Sequence, residues 1–147
     1  MAELFSTSVL NQFGLSGLLI AATTFVHAAM IAMAAAVLRG LPGFQRGFAR
    51  SMQEVLRLMG LSLWLMLAHI SSIWMWALLY LKLRLFNTVE AALYFSGASY
   101  TTLGFGDVLL PDAWRLLSGA AALNGLLLIG LSVAILVDAS AKLRLAD

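Results

Sequence analysis

Residues 101–107 read Thr-Thr-Leu-Gly-Phe-Gly-Asp, and the chemistry of that string lies in its main chain. Gly104 and Gly106 alternate with Leu103 and Phe105. Glycine reaches positive φ at no steric cost, so a segment that alternates in handedness at those positions turns successive carbonyls the same way. The result is a column of hard oxygen ligands from Thr102 to Phe105, able to replace the hydration shell of a cation. No other chemistry has a comparable constellation. Glu54, Glu90, Asp107, Asp112 and Asp138 are dispersed, cysteine is absent, and His27 and His69 lie far apart in sequence. Neither a nucleophile with its base nor a local metal box can be assembled from these, so the chain does not read as an enzyme and implies no organic cofactor.

The elements that would position such a column follow from hydropathy. Of 147 residues, 62% are hydrophobic and only 11% charged, which places the chain in a bilayer rather than among soluble domains. A helix needs roughly 20 mostly apolar residues to cross a hydrocarbon core. Three segments meet that length: Leu15 to Leu38, Leu58 to Leu81 and Trp114 to Val137. Before the first of them there is no Lys or Arg, unlike a secretory signal peptide, so this run is expected to stay in the mature protein. Between the first two, residues 39–57 carry four arginines against the single Glu54, which marks a cytoplasmic segment. Phe44, Phe48, Met52, Val55 and Met59 recur there at helical spacing, as in an amphipathic helix on the inner headgroups; the alternative is a basic turn with an extended second span. The N-terminus is then outside and the short tail after Val137 inside. Trp74, Trp76, Tyr80 and Trp114 form an aromatic belt at the outer ends. The net charge of +2 comes from arginines flanking apolar runs, which gives nucleic-acid binding no support.

Lys82 to Pro111 therefore faces the outer side. Asn87 or Thr88 can cap a short helix, with Glu90 near its positive end, and the helix would run from 88 to about 101. Its C-terminal, negative end points at the string that follows it. Irregular backbone at membrane depth is tolerated only where it is buried in protein or lines an aqueous path.

Thr101 to Asp107, set between two spans and after a short helix, resembles the signature of the potassium channel pore family, whose filter loop commonly reads Thr-Val-Gly-Tyr-Gly. The resemblance covers roughly Leu58 to Val137 and is specific around the filter. It implies an all-α membrane protein with three transmembrane helices, a re-entrant pore helix and an extended selectivity filter. Four identical subunits would surround one pore. In chain order these would be an extracellular N-terminus and additional helix (1–38), a basic linker (39–57) and a pore domain (58–147). The pore domain would comprise an outer helix (58–81), pore helix (88–101), filter (102–107), inner helix (114–137) and short tail. Residue by residue, Thr102 would offer hydroxyl and carbonyl to the innermost potassium site, with Leu103, Gly104 and Phe105 supplying further carbonyls and Gly106 completing the strand. Thr101 and Asp107 flank it. Leu103 stands where valine is commoner and Phe105 where tyrosine is. Phe95 matches a pore-helix tryptophan that usually bonds that tyrosine, so an apolar contact would replace a hydrogen bond. Ala98 stands where some members hold a carboxylate, which leaves Tyr94 as the residue placed to reach Asp107.

Several residues have two readings. Asn124 mid-span either faces a water-filled cavity or bonds across to another helix; Asn124, Leu128, Leu131 and Ile135 share one stripe that would line a cavity or simply pack. Gly125 and Gly130 serve either a gating bend or close helix packing. His27 and His69 either sense protons or bond neutrally between helices. No span carries arginine at every third residue, so a voltage sensor is not expected, and the tail is too short for a soluble gating domain. Two other functions compete with a potassium-selective pore: a non-selective monovalent cation channel, disfavoured by the intact Gly104-Phe105-Gly106, and a non-conducting membrane adaptor whose spans pair through small residues such as Ala28, Ala32 and Ala36.

Overall fold

The structure, a computed structural model, describes residues 7–40 and 48–144. Four helices carry the chain: α1 (Thr7–Gly40), α2 (Phe48–Lys82), α3 (Val89–Tyr100) and α4 (Leu116–Arg144), with a 3-10 turn at Asp112–Trp114 before α4. No strand occurs among the described residues. The segments Val9–Gly40, Ser51–Lys82 and Asp112–Ala141 are long and apolar enough to cross a membrane. Each helix overruns its apolar stretch, since helical hydrogen bonding continues into polar flanks until a stop signal intervenes. For α1 that signal is Gly40 with Pro42 beyond it. Arg50 and Arg57, ahead of Leu58, share one unbroken helix, α2, with the span that follows. Phe44 lies outside the described residues.

At its other end α2 stops without a glycine. Arg84 adopts φ 56°, Leu85 N–H donates to the Tyr80 carbonyl at 3.0 Å and Arg84 N–H to that of Leu81 at 2.9 Å. These are the two bonds of a Schellman cap. Leu83 and Leu85 then pack on the aromatic cluster beneath, which helps to hold a non-glycine residue in the left-handed region.

That cluster joins α2, α3 and α4 through Trp76, Tyr80, Phe95, Tyr100, Leu110, Leu117 and Ala121. Tyr80 meets Phe95 edge-on at 5.4 Å between ring centroids, and Phe86 lies 5.2 Å from Phe95. Such geometry aligns ring edges with ring faces and adds to the packing of the rings.

α1 packs against α2 and α4 with its polar side. Gln12, Ser16, Thr23 and His27 recur on one face and are buried, whereas Leu10, Phe13, Leu18, Phe25, Met33 and Val37 are exposed. This inversion is what a bilayer selects: apolar side chains gain nothing by leaving lipid for a neighbouring helix, so polar groups pair between helices. Gln12 Nε2 donates to the Ala113 carbonyl at 2.6 Å, and Asn124 Nδ2 donates to Thr23 Oγ1 at 2.7 Å. Trp64 Nε1 of α2 donates to the Met30 carbonyl of α1 at 2.8 Å.

Where α4 crosses the end of α3, the approach is too close for any side chain. A Cβ on Gly125 would sit 1.8 Å from the Tyr100 carbonyl oxygen, while one on Gly130 would meet nothing within 4 Å. Gly125 thus serves close packing. Gly125→Ala is expected to destabilise detergent-solubilised protein by about 1–3 kcal/mol or more, the cost of forced overpacking, while Gly130→Ala is neutral or slightly stabilising. Paired thermal melts of the two variants check this, and equal melting temperatures would refute the contact.

Candidate functional site

α3 is built to end at the 101–107 string. Thr88 caps it, its Oγ1 accepting from Ala91 N–H at 3.2 Å, and Glu90 lies in the first turn, where a carboxylate complements the helix dipole. At the other end Thr101 N–H donates to the Gly97 carbonyl at 3.0 Å, Thr102 N–H to Ser99 at 3.0 Å and Gly104 N–H to Ala98 at 3.2 Å. Ala98 therefore supports the string through its main chain. The Thr101 hydroxyl also donates to Gly97 O, at 2.7 Å.

Beyond the helix, positive φ recurs at every second residue: Thr102 at 61°, Gly104 at 52° and Gly106 at 79°. Leu103 and Phe105 between them lie on the negative side. Glycine takes these values freely, but threonine does so at a cost of roughly 1–2 kcal/mol. The hydrogen bonds of Thr101 and Thr102 to the last turn of α3 offset that strain. On the single chain the whole of 101–107 is exposed, including the apolar side chains of Leu103 (61%) and Phe105 (68%).

Asp107 closes the string. Tyr94 Oη donates to Asp107 Oδ2 at 2.6 Å, and Oδ1 accepts from Val108 N–H at 3.1 Å. The tyrosine hydrogen bond holds the Asp107 carboxyl below its ordinary value and raises the Tyr94 phenol. Tyr94, Ala98, Phe105 and Asp107 border a small cavity of about 130 Å³ between α3 and the segment 104–109. Phe95 borders it too, but its ring is engaged by Tyr80 and Phe86 in the α2–α3 packing, while the Phe105 side chain stands largely open.

Beneath Tyr100 lies a chain of hydrogen bonds that touches all four helices. The Tyr100 hydroxyl meets His69 Nδ1 at 2.9 Å, His69 Nε2 meets Ser132 Oγ at 3.0 Å, and the same Oγ meets His27 Nε2 at 2.9 Å. The two imidazoles lie 4.8 Å apart between centroids. One serine hydroxyl, able to donate to one ring and accept from the other, joins the two histidines through their Nε2 atoms, while His27 Nδ1 is buried without a hydrogen-bond partner. The sequence singles out both histidines but neither Ser132 nor Tyr100. Hydroxyls in apolar helices mostly bond their own backbone, as Ser72 does to the Ala68 carbonyl, so their spacing carries no signal.

The α4 stripe divides. Asn124 and Leu128 are buried, with Asn124 turned to Thr23 of α1, so in this chain Asn124 bonds across helices rather than facing a cavity. Ile135 borders a cleft between α1, α2 and α4, and Leu131 is exposed. The open face of α4 instead presents Leu123, Leu127, Gly130 and Ala134. Helical period identifies a stripe without saying which stripe meets the chain's own helices, and that hid the open face. Among the described residues no group of three His, Cys, Asp or Glu side chains is placed to hold a metal ion.

A family profile described as ion channel matches residues 63–142, more than half of the chain. The chain belongs to this ion channel family, in keeping with the resemblance carried by Thr101 to Asp107. It is a membrane protein. No curated protein and no solved structure matches it.

Two predictions follow from the geometry at either end of Tyr100 and Asp107. A carboxyl held below its ordinary value contributes order that is present above the ordinary carboxylate range and is lost as pH falls through its own lowered value. Tyr94→Phe should move the Asp107 titration upward, so that this order is lost at a higher pH; carbon NMR of labelled Asp107 in both proteins reads the shift, and coincident titrations would exclude the bond. Ser132→Ala leaves both Nε2 atoms without their partner in an apolar interior, at about 1–3 kcal/mol. A lowered melting temperature is expected, with Ser71→Ala, whose hydroxyl only bonds the Leu67 carbonyl of its own helix, as the unaffected comparison.

Proposed function

We propose that this chain is one subunit of a potassium-selective channel, with Thr102, Leu103, Gly104, Phe105 and Gly106 forming the ion filter on the fourfold axis of a homotetramer. The observation that carries the reading is the positive φ at Thr102, Gly104 and Gly106, with residues of negative φ between them. Such alternation directs the carbonyls of successive residues to one side, and four strands around an axis convert each level into a ring of oxygens. Potassium is the cargo, and the rings take the place of its water. Thr102 adds its hydroxyl at the innermost ring. α3 serves as the pore helix, its negative end beside Thr101 directed at the ion, where a low dielectric enlarges the effect of the partial charge.

Tetramer formation is supported by what one chain leaves uncovered. Leu103, Phe105, Leu109 and Leu123 are exposed around the string, where an open apolar surface beside irregular backbone calls for other subunits. α2 is the outer helix and α4 the inner helix, with Leu123, Leu127, Gly130 and Ala134 on the face turned to the axis. The arginines of 39–57 support a cytoplasmic position for that end of the chain and an outer position for the 101–107 string. Tyr94 and Asp107 brace the outer end of the filter from behind.

Purified protein in liposomes under a potassium-against-sodium gradient tests the reading through the reversal potential. Wild type should reverse near the potassium equilibrium value. Gly104→Ala, which puts a Cβ on a residue at φ 52°, should abolish that selectivity or the current itself. Robust current reversing near zero would make the pore non-selective, and absence of current from intact tetramers in every condition would favour a non-conducting adaptor.

A further inference from the structure

α1 precedes the stretch matched by the ion channel profile, so what it contributes is additional to the part that the profile describes. Its polar face is bonded at Gln12 to Ala113, at Thr23 to Asn124 and at His27 to Ser132. The His27 bond does not end there, because the same Ser132 Oγ meets His69 Nε2 at 3.0 Å and His69 Nδ1 meets the Tyr100 hydroxyl at 2.9 Å. Four side chains from four helices thus form one row. It begins at His27, whose Nδ1 is buried without a partner, and ends on the last residue of α3, next to Thr101.

Hydrogen counting couples the members of the row. Ser132 has one hydroxyl hydrogen and faces two Nε2 atoms, so it donates to one ring and must accept from the other. An apolar interior favours uncharged rings, each with a single N–H. With the hydrogen of His27 on Nε2, Ser132 donates to His69, His69 holds its hydrogen on Nδ1, and Tyr100 accepts. With the hydrogen of His27 on Nδ1, every bond reverses and Tyr100 donates. The state of a ring on α1 therefore fixes the role of a hydroxyl on α3, and in both cases the two histidines are opposite tautomers.

We propose that His27, Ser132 and His69 are positioning residues through which α1 sets the base of the 101–107 string. The Tyr100 carbonyl abuts Gly125, so the row and that contact together leave the last turn of α3 little freedom. Thr101 and Thr102 donate their N–H groups to carbonyls of that turn. Thr102 sits at φ 61°, a conformation that threonine keeps only while something else holds it, so a small shift of the turn reaches Thr102 first. Loss of the His27 bond leaves Ser132 and His69 free to turn, and Tyr100 loses its fixed partner. That the string is an ion filter rests on the proposed function. That α1 positions it does not, and the experiment reads the position directly.

The full chain, nitrogen-labelled at histidine and threonine, is reconstituted in lipid bilayers at neutral pH for solid-state NMR. In wild type the two imidazoles should be opposite tautomers, one protonated at Nε2 and the other bare there. Identical tautomers, or a charged ring, overturn the row with no variant needed. In His27→Leu the His69 ring and the Thr101 and Thr102 amide signals should shift, and His27→Gln, whose amide can still bond Ser132, should return the threonine signals to their wild-type positions. Thr23→Val breaks the Thr23–Asn124 bond and so loosens α1 without touching the row. It should lower the melting temperature and leave Thr101 and Thr102 unmoved. Unmoved threonine signals in His27→Leu, or equal shifts in His27→Leu and Thr23→Val, overturn the proposal. Should His27→Leu fail to reconstitute, Ser132→Ala takes its place with the same expectation. In the reversal-potential experiment His27→Leu should lose selectivity while His27→Gln and Thr23→Val keep it; an unselective wild type refutes the filter reading and leaves the positioning to the NMR signals.

Discussion

Tyr100 is held at both of its polar ends, and the position of the 101–107 string depends on that. Its carbonyl oxygen lies where the Cβ of residue 125 would be, so α4 approaches the end of α3 to the limit that glycine allows. Its hydroxyl meets His69, which joins through Ser132 to His27. Main chain and side chain thus locate the last turn of α3 against three other helices at once. The carbonyls of that turn at Gly97, Ala98 and Ser99 in turn receive the N–H groups of Thr101, Gly104 and Thr102. Displacement of Tyr100 would therefore carry the first residues of the string with it.

The same constraint explains how α1 attaches. In hydrocarbon, a polar side chain without a partner is costly and an apolar contact between helices is nearly free to exchange for lipid. The attachment of α1 is consequently written in Gln12, Thr23, His27, Asn124 and Ser132, alongside the packing of Leu19 and Ile20 on the aromatic cluster. Thr23 illustrates the economy: its hydroxyl donates to the carbonyl of Leu19 or Ile20 in its own helix and accepts from Asn124 of α4. A helix that looks uniformly apolar by composition is in fact directional, because a few polar side chains at helical spacing choose its inward face.

Much of this organisation was legible in residue type and spacing. Three long apolar helices, a Thr88-capped short helix and glycines at positive φ after it all follow from local rules that do not depend on neighbours. Thr102 at positive φ was not legible, because a threonine there is held by the preceding helical turn and not by its own preference. Asn124 shows the other limit. Its mid-span position demands a partner, but only the approach of α1 decides between water and Thr23. Ser132 and Tyr100 are hidden for a related reason, since Ser132 lies 63 and 105 positions from the two histidines that share its hydroxyl and Tyr100 lies 31 from His69.

The strain in the string and its openness belong together. A threonine in the left-handed region and two adjacent apolar side chains, Leu103 and Phe105, turned to the outside would be poorly tolerated as the finished surface of a monomer. One chain supplies hydrogen bonds only at the base of the string, through Thr101, Thr102 and Gly104, and at its far end, through Asp107. The middle, Leu103 to Gly106, lacks cover from its own helices. Under the proposed assembly, neighbouring subunits cover those side chains while the carbonyls face the ion, so the geometry that is unfavourable in one chain becomes satisfied in four.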